Sequence, residues 1–133
     1  MEKDTYCILS DIIVTPLYKA KCSLETLNLV TTPDPILRDA AIQRFEYTLE
    51  LAWKTLKRVL QKRGLEAYSP REVFRVAAAD QLIQDSAIWI EFIERRNLTS
   101  HTYNESTAER VYEVIFRFKQ ELDTLWQKLL TLK

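Results

Sequence analysis

Residues 36–63, ILRDAAIQRFEYTLELAWKTLKRVLQKR, carry apolar side chains mostly at steps of three and four residues. This spacing places them on one face of an α-helix, where a protein core can bury them. The positions on that face are Ile42, Phe45, Leu49, Ala52, Trp53, Leu56 and Leu60. Gly64, the only glycine of the chain, follows directly, where the end of a helix favours a left-handed residue. The segment therefore predicts one long amphipathic helix with a defined end.

Shorter helices are predicted on both sides of this segment, from capping residues and apolar periodicity. Their predicted bounds are residues 15–30, with Thr15 as N-cap and Pro16 at the first helical position; residues 70–82, begun by the capping box Ser69 to Glu72; and residues 86–96, capped by Asp85 or Ser86. Their predicted buried positions are Leu17, Ala20, Leu24 and Leu27; Val73, Phe74, Ala77 and Leu82; and Ile88, Trp89, Phe92 and Ile93. The two prolines of residues 31–35 predict a connecting loop.

The carboxy-terminal segment predicts a last helix that begins near residues 104–106 and ends near Leu132. Ser106 to Glu109 is one possible capping box for it. Apolar residues recur there in a heptad pattern, at Ala108, Val111, Ile115, Phe118, Leu122, Leu125, Leu129 and Leu132. Such a pattern packs either inside a bundle or between subunits. Both alternatives stay open for this helix, and the three tryptophans, Trp53, Trp89 and Trp126, are likewise assigned to the core or to a dimer interface.

Composition supports a helical fold. The 133 residues include one glycine and four prolines, and 47% are hydrophobic. Because turn formers are scarce, we predict an all-α fold, an antiparallel up-and-down bundle of four or five helices in a single domain, residues 1–133. Residues 1–14 form an uncertain amino-terminal extension, either extra helical turns or an extended arm.

Charge and cysteine content limit the classes of partner. Lysine plus arginine and aspartate plus glutamate each number 19, so the formal charge is zero and any contact with RNA must be local. Cys7 and Cys22 lack metal-binding spacing and are interpreted as reduced thiols of a cytoplasmic protein. The apolar run over residues 6–14 is too short and interrupted to span a membrane. We therefore expect a soluble protein, with neither DNA nor a membrane as its partner.

Most of the chemistry lies in residues 96–103, RNLTSHTY. Arg96 continues the apolar face of Trp89 and Ile93, so its charge needs a partner, a ligand or water. His101, the only histidine, follows five residues later, and on an unbroken helix the two side chains would lie about 140° apart. Thr99 and Ser100 lie between these two residues, and Thr102 follows them. Such residues favour a kink or an end of the helix, which could bring Arg96 and His101 together. Guanidinium and imidazole in one place suit phosphate chemistry.

Simpler interpretations exist for each of these residues. A lone histidine is often only a loop or capping residue, and Arg95 and Arg96 could merely complement the carboxyl end of a helix. Tyr103 could pack its ring and leave its hydroxyl in water. Glu50 and Lys54, four residues apart, most simply form a pair on one helix face, and no catalytic role is assigned to them.

The chain nevertheless resembles the HEPN superfamily, and within it the HepT-like proteins, also described as nucleotidyltransferase substrate-binding proteins. The resemblance covers roughly residues 36–119. It includes RDAAIQRFE at residues 38–46, ELAWK at 50–54, SPRE at 69–72, Trp89, and the motif R-x-x-x-x-H-x-Y at residues 96–103.

This resemblance implies a homodimer that acts as the toxin of a toxin–antitoxin pair and cleaves RNA with no metal or cofactor. The RNA target stays open, with tRNA as one candidate. By the same resemblance, Arg96 and His101 are catalytic and Asn97 is a supporting polar residue. Tyr103 is the hydroxyl that a partner minimal nucleotidyltransferase modifies with AMP (AMPylation) to silence the toxin. The alternative is a non-catalytic substrate-binding subunit of a two-component nucleotidyltransferase.

Overall fold

The computed structural model describes residues 5–132, which form a helical bundle with one small hairpin. The elements are β1 (Cys7–Ile8), β2 (Ile12–Ile13), α1 (Thr15–Glu25), α2 (Pro35–Lys62), α3 (Pro70–Ala79), α4 (Ser86–Arg96), a 3-10 turn (Thr99–His101), α5 (Glu105–Glu113) and α6 (Ile115–Leu130). The predicted all-α bundle is confirmed. No helix within residues 5–132 combines the length and the apolar character that crossing a membrane requires.

Helix α2 is the centre of the bundle, because α1, α3, α4, α5 and α6 all pack against it. Asp34 caps its start by accepting a hydrogen bond from the backbone N–H of Leu37 at 2.8 Å. At its end Gly64 adopts φ +75°, and the N–H of Leu65 bonds back to the carbonyl of Leu60 at 2.8 Å. This Schellman arrangement is the end that the glycine predicts. The helix is therefore fixed at both ends by local sequence.

An aromatic cluster joins α2, α3, α4 and α6 in the core. Phe118 is fully buried, and its ring centroid lies 4.9 Å from that of Phe45 and 5.3 Å from that of Phe92. Trp89 stacks on Phe74 at 5.2 Å and meets Phe92 edge-on at 5.3 Å. Burial of such side chains is the main stabilising contribution to a bundle of this size. The cluster also fixes the position of α4, and thereby of Arg96 at its end.

The amino-terminal segment is extended, which is one of the two alternatives left open for it, whereas two predicted features of α1 are wrong. Residues 7–13 form an antiparallel hairpin, in which Ile8 pairs with Ile12, and not extra helical turns. Thr15 is a residue of α1 and not its N-cap, because its hydroxyl oxygen accepts the backbone N–H of Tyr6 at 2.7 Å. Helix α1 also ends at Glu25, five residues before Val30. Residues 1–4 of the uncertain extension, and Lys133, lie outside the described residues.

Nearer the carboxyl terminus one predicted helix end is corrected, while the predicted start of the last helix within residues 104–106 is confirmed. Helix α3 ends at Ala79, and Leu82 is buried just beyond it. Asn104, and not Ser106, caps α5 by accepting the N–H of Thr107 at 3.2 Å. Asp85, one of the two candidates, caps α4 by accepting the N–H of Ala87.

The last predicted helix is interrupted at Val114, between α5 and α6. In a regular helix the N–H of Val114 would bond to the carbonyl of Arg110, four residues earlier. Arg95 of α4 donates to that carbonyl instead, at 2.5 Å, and the N–H of Val114 turns to the carbonyl of Tyr112. A side chain that inserts into the helical ladder is a recognised cause of a break. The apolar heptad pattern continues through the break, and all its positions are buried except the half-buried Leu132.

Candidate functional site

Arg96, the last residue of α4, forms an ion pair with Glu50 of α2. Its Nη2 atom donates to Oε2 of Glu50 at 3.1 Å, and its side chain is 28% exposed. Its Nε atom is buried, and no hydrogen-bond partner for it exists among residues 5–132. Glu50 is thus the charged partner that Arg96 requires at the end of the apolar face of α4. Arg96 also lines a cavity along α2, where an anion could approach its guanidinium.

Glu50 is itself held by two neighbours on α2. Nε1 of Trp53 donates to Oε2 at 3.0 Å, and Nζ of Lys54 lies 3.0 Å from Oε1, which confirms the predicted pair. Burial raises the pKa of this carboxyl, but hydrogen bonds from Trp53 and Lys54 and the charges of Lys54 and Arg96 together hold it below its usual value. Glu50 is therefore an anchored anion that orients Arg96, a role that the sequence interpretation missed.

Helix α4 ends at Arg96, as the run of hydroxyl residues after it predicts. The hydroxyl of Thr99 donates to the carbonyl of Arg96 at 2.8 Å, and that of Thr102 donates to the carbonyl of Thr99 at 3.2 Å. These side chains replace the helical N–H donors, so the backbone turns into a short 3-10 segment. Asn97 is the exposed C-cap of α4, and its backbone N–H donates to the carbonyl of Ile93 at 3.0 Å.

His101 ends the 3-10 turn with its imidazole exposed to solvent. Its Nδ1 atom lies 3.5 Å from the hydroxyl of Tyr103, and the two rings meet edge-on with centroids 6.0 Å apart. Within residues 5–132 the imidazole makes no hydrogen bond to Arg96. The predicted break is therefore present, but in one chain it brings His101 towards Tyr103 and not into contact with the guanidinium.

Tyr103 is the most exposed aromatic residue among residues 5–132, at 86%. Its ring is not packed against the bundle, which contradicts the simpler interpretation of a buried ring with a wet hydroxyl. An exposed hydroxyl is accessible to a modifying enzyme without any unfolding.

Two adjoining cavities lie along α2 beside these residues, and we name them together the α2 groove. The first, of about 390 Å³, is lined by Gln43, Glu46, Tyr47, Glu50 and Arg96. The second, of about 500 Å³, is lined by Arg38, Asp39, Ile42, Gln43, Glu46, Thr99, Thr102 and Tyr103. Gln43 and Glu46 line both cavities, so the groove connects Arg96 to Tyr103. His101 lines neither cavity.

No group of three or more His, Cys, Asp or Glu side chains in residues 5–132 has an arrangement that could hold a metal ion. The groove is lined by guanidinium, carboxylate and hydroxyl groups, and the imidazole of His101 lies close to the hydroxyl of Tyr103.

Comparison with known proteins gives a consistent result. A family profile described as nucleotidyltransferase substrate binding protein like matches residues 14–131. A Haemophilus influenzae protein named probable ribonuclease HepT is 37% identical in an alignment of 94 residues that covers 67% of this chain and 64% of that protein. The matched region thus spans just under two thirds of that relative's length.

Two solved structures have the same fold. A crystal structure of a Thermus thermophilus protein matches with a TM-score of 0.80 and 37% identity, over 85% of this chain and 98% of the other. A Haemophilus influenzae structure, described as revealing the fold of a substrate binding domain of a nucleotidyltransferase, matches with a TM-score of 0.75 and 32% identity, over 87% and 98%.

Proposed function

The chain belongs to the nucleotidyltransferase substrate binding protein family, among HepT-like relatives, and from this premise we propose that it is a metal-independent endoribonuclease. In this proposal it is the toxin of a toxin–antitoxin pair in the cytoplasm. The observation that carries the proposal is the guanidinium of Arg96, which is anchored by Glu50 and lines the α2 groove. The exposed His101 follows five residues later, after the end of α4.

The reaction follows from these groups. A base removes the proton of an RNA 2′-hydroxyl, whose oxygen attacks the adjacent phosphorus, and an acid protonates the 5′ oxygen as its bond to phosphorus breaks. The products are a 2′,3′-cyclic phosphate and a free 5′-hydroxyl. Arg96 stabilises the extra negative charge of the phosphorane. Asn97, exposed next to Arg96, is the supporting polar residue.

One chain supplies only one histidine, whereas this reaction needs both a base and an acid. A homodimer with two-fold symmetry would place two copies each of His101 and Arg96 around one cleft. Within residues 5–132 of one chain His101 makes no hydrogen bond to Arg96, which leaves room for this arrangement, in which the partner subunit's His101 acts beside the Arg96 of the first subunit.

Control by a minimal nucleotidyltransferase involves Tyr103. The phenolic oxygen attacks the α-phosphorus of ATP, its proton passes to solvent, and pyrophosphate leaves. The exposure of this hydroxyl and its position 3.5 Å from Nδ1 of His101 support the assignment. The resulting AMP would place a bulky anion beside His101 and in the α2 groove, which would exclude RNA.

The test is incubation of purified protein with a mixed tRNA pool in chelator, with Arg96→Ala and His101→Ala as comparisons. Intact mass first establishes that Tyr103 carries no nucleotide, and circular dichroism that all three proteins fold. We expect cleavage by the wild type and none by either variant. Equal cleavage by wild type and both variants would indicate a contaminating nuclease and refute the assignment of the site.

A second function is favoured by the solved relative that is described as a substrate binding domain. In this alternative the chain is a non-catalytic subunit that binds a nucleotidyltransferase and presents substrate or Tyr103 to it. An unmodified, folded wild type that leaves tRNA intact would support it. The affinity of His101→Ala for the nucleotidyltransferase should then equal that of the wild type.

A further inference from the structure

Arg38, near the start of α2, has a guanidinium that is only 11% exposed although it lies at the surface of the bundle. Its Nη1 atom donates to Oε1 of Glu105 at 2.6 Å, and its Nε atom lies 3.8 Å from Asp39. That Nε atom is buried and lacks a hydrogen-bond partner among residues 5–132. A buried donor without an acceptor is costly, so a small movement of the side chain that let a phosphate oxygen reach Nε would satisfy this donor.

The position of Arg38 suggests a function for its unpaired Nε donor. Arg38 lines the part of the α2 groove that contains Tyr103, Thr99 and Thr102, and Arg96 lines the other part. On α2, Arg38 precedes Glu50, the anchor of Arg96, by 12 residues, which is about 18 Å at the rise of an α-helix. The groove thus has a partly buried guanidinium in each of its two parts. The positions on α2 that carry Arg38 and the anchor of Arg96 are further apart than neighbouring phosphates of a stacked strand.

Building on the proposed ribonuclease function, we propose that Arg38 binds a second phosphodiester of the same RNA strand, one or more nucleotides away from the phosphate at Arg96. A guanidinium presents Nε and Nη donors in a fixed fork that matches two phosphate oxygens. Glu105 occupies one of these donors in the free protein. Its carboxylate is 72% exposed and can turn away into water, so a phosphate can take its place beside the guanidinium, which is itself only 11% exposed.

The groove also contains negative charges that limit this site. Asp39 and Glu46 line the same cavity as Arg38, and both repel a strand that carries several phosphates. The balance favours one phosphate held at Arg38 and disfavours a continuous track along α2. The zero net charge of the chain agrees with such local recognition.

The test measures binding of a short fluorescent RNA whose 2′-hydroxyls are all methylated, so that it cannot be cleaved. The protein is shown by intact mass to be free of nucleotide, which excludes an adenylyl phosphate on Tyr103 as occupant. We expect Arg38→Gln to weaken binding about tenfold and to lower the salt slope by about one. Arg71→Gln is the control for the loss of one positive charge, because Arg71 pairs with Glu94 at 3.2 Å, is 44% exposed and lines neither cavity of the α2 groove, and it should bind as the wild type does.

Glu105→Gln separates this role from a structural one. If Arg38 is a phosphate site, removing its carboxylate partner frees the guanidinium and tightens binding. If Arg38 serves only the ion pair, Arg38→Gln and Glu105→Gln act in the same direction, and that result would overturn the inference. A phosphate site at Arg38 also predicts a kinetic effect: Arg38→Gln should raise KM for tRNA cleavage and leave kcat unchanged.

The outcomes also separate this inference from the proposed function. Binding that depends on Arg38, in a wild type that leaves tRNA intact, would sustain the phosphate site and refute the nuclease. Cleavage of tRNA whose KM is the same in wild type and Arg38→Gln would sustain the nuclease and refute the phosphate site.

Discussion

Arg96 and Glu50 are 46 residues apart in sequence and joined by a 3.1 Å hydrogen bond between Nη2 and Oε2. Because Glu50 is anchored on α2, it fixes the direction of the guanidinium at the groove. We expect Glu50→Gln to lower kcat for RNA cleavage by about 10- to 100-fold, since a small displacement of a positioned group costs that much. Single-turnover cleavage of tRNA measures the effect.

Lys54→Ala is the matched control for this prediction. It removes the other charged partner of Glu50, the Nζ at 3.0 Å from Oε1, and leaves the bond to Arg96 in place. Its effect on kcat should be much smaller than that of Glu50→Gln. An equal loss of kcat in both variants would show that the local charge of α2 matters and the orientation of Arg96 does not.

Acid should weaken the fold in part through Glu50. Its folded pKa lies below the usual value of 4.5, so the folded state binds this proton less readily than the unfolded chain does. The stabilisation is present above about pH 4.5 and is lost as the pH falls through the folded pKa. Thermal unfolding between pH 7 and pH 3 should therefore show wild type and Glu50→Gln converging below pH 4.5. Parallel curves over that range would contradict the role given to this carboxylate.

The sequence predicted the features that depend on neighbouring residues. Gly64 ends α2, Ser69 caps α3, and the hydroxyl residues after Arg96 stop α4, because each acts on backbone within a few positions. The hairpin at residues 7–13 was not predictable in this way. Its turn requires positive φ at Leu9 and Ser10, where glycine or asparagine is the usual signal.

The features that sequence reasoning missed depend on contacts between distant residues. The hydroxyl oxygen of Thr15 accepts a hydrogen bond from the backbone N–H of Tyr6. The carbonyl of Arg110 accepts one from the side chain of Arg95, which lies on another helix. The bond from Arg96 to Glu50 is of the same kind. Periodicity identifies which face is buried, but it does not specify which charged side chains meet across that face.

Tyr103 should be the residue that the nucleotidyltransferase modifies. We expect Tyr103→Phe to cleave tRNA at a rate near that of the wild type but to gain no mass when incubated with the partner enzyme and ATP. Tyr68→Phe is the matched control, because Tyr68 is also largely exposed, at 70%. It should gain adenylyl mass and lose activity as the wild type does. Adenylylation of Tyr103→Phe would move the modification to another residue.

Cleavage should also depend on association of two chains. If a base and an acid come from two copies of His101, the rate per chain falls when the protein is diluted below the dimer dissociation constant. Initial rates over a range of protein concentrations, together with sedimentation velocity at the same concentrations, measure this. A rate per chain that is constant while dimers dissociate would exclude a composite site.

The aromatic cluster should determine the stability of the bundle, and Phe118 tests it. We expect Phe118→Ala to lower the free energy of unfolding by about 3–5 kcal/mol, because Phe118 is fully buried against Phe45 and Phe92. Phe116→Ala, on the same helix but with 39% of the residue exposed, should cost less than about 1 kcal/mol. Urea unfolding followed by circular dichroism measures both values. Similar losses in the two variants would mean that α6 contributes through helix formation and not through this cluster, and the packing that positions α4 and Arg96 would then need another source.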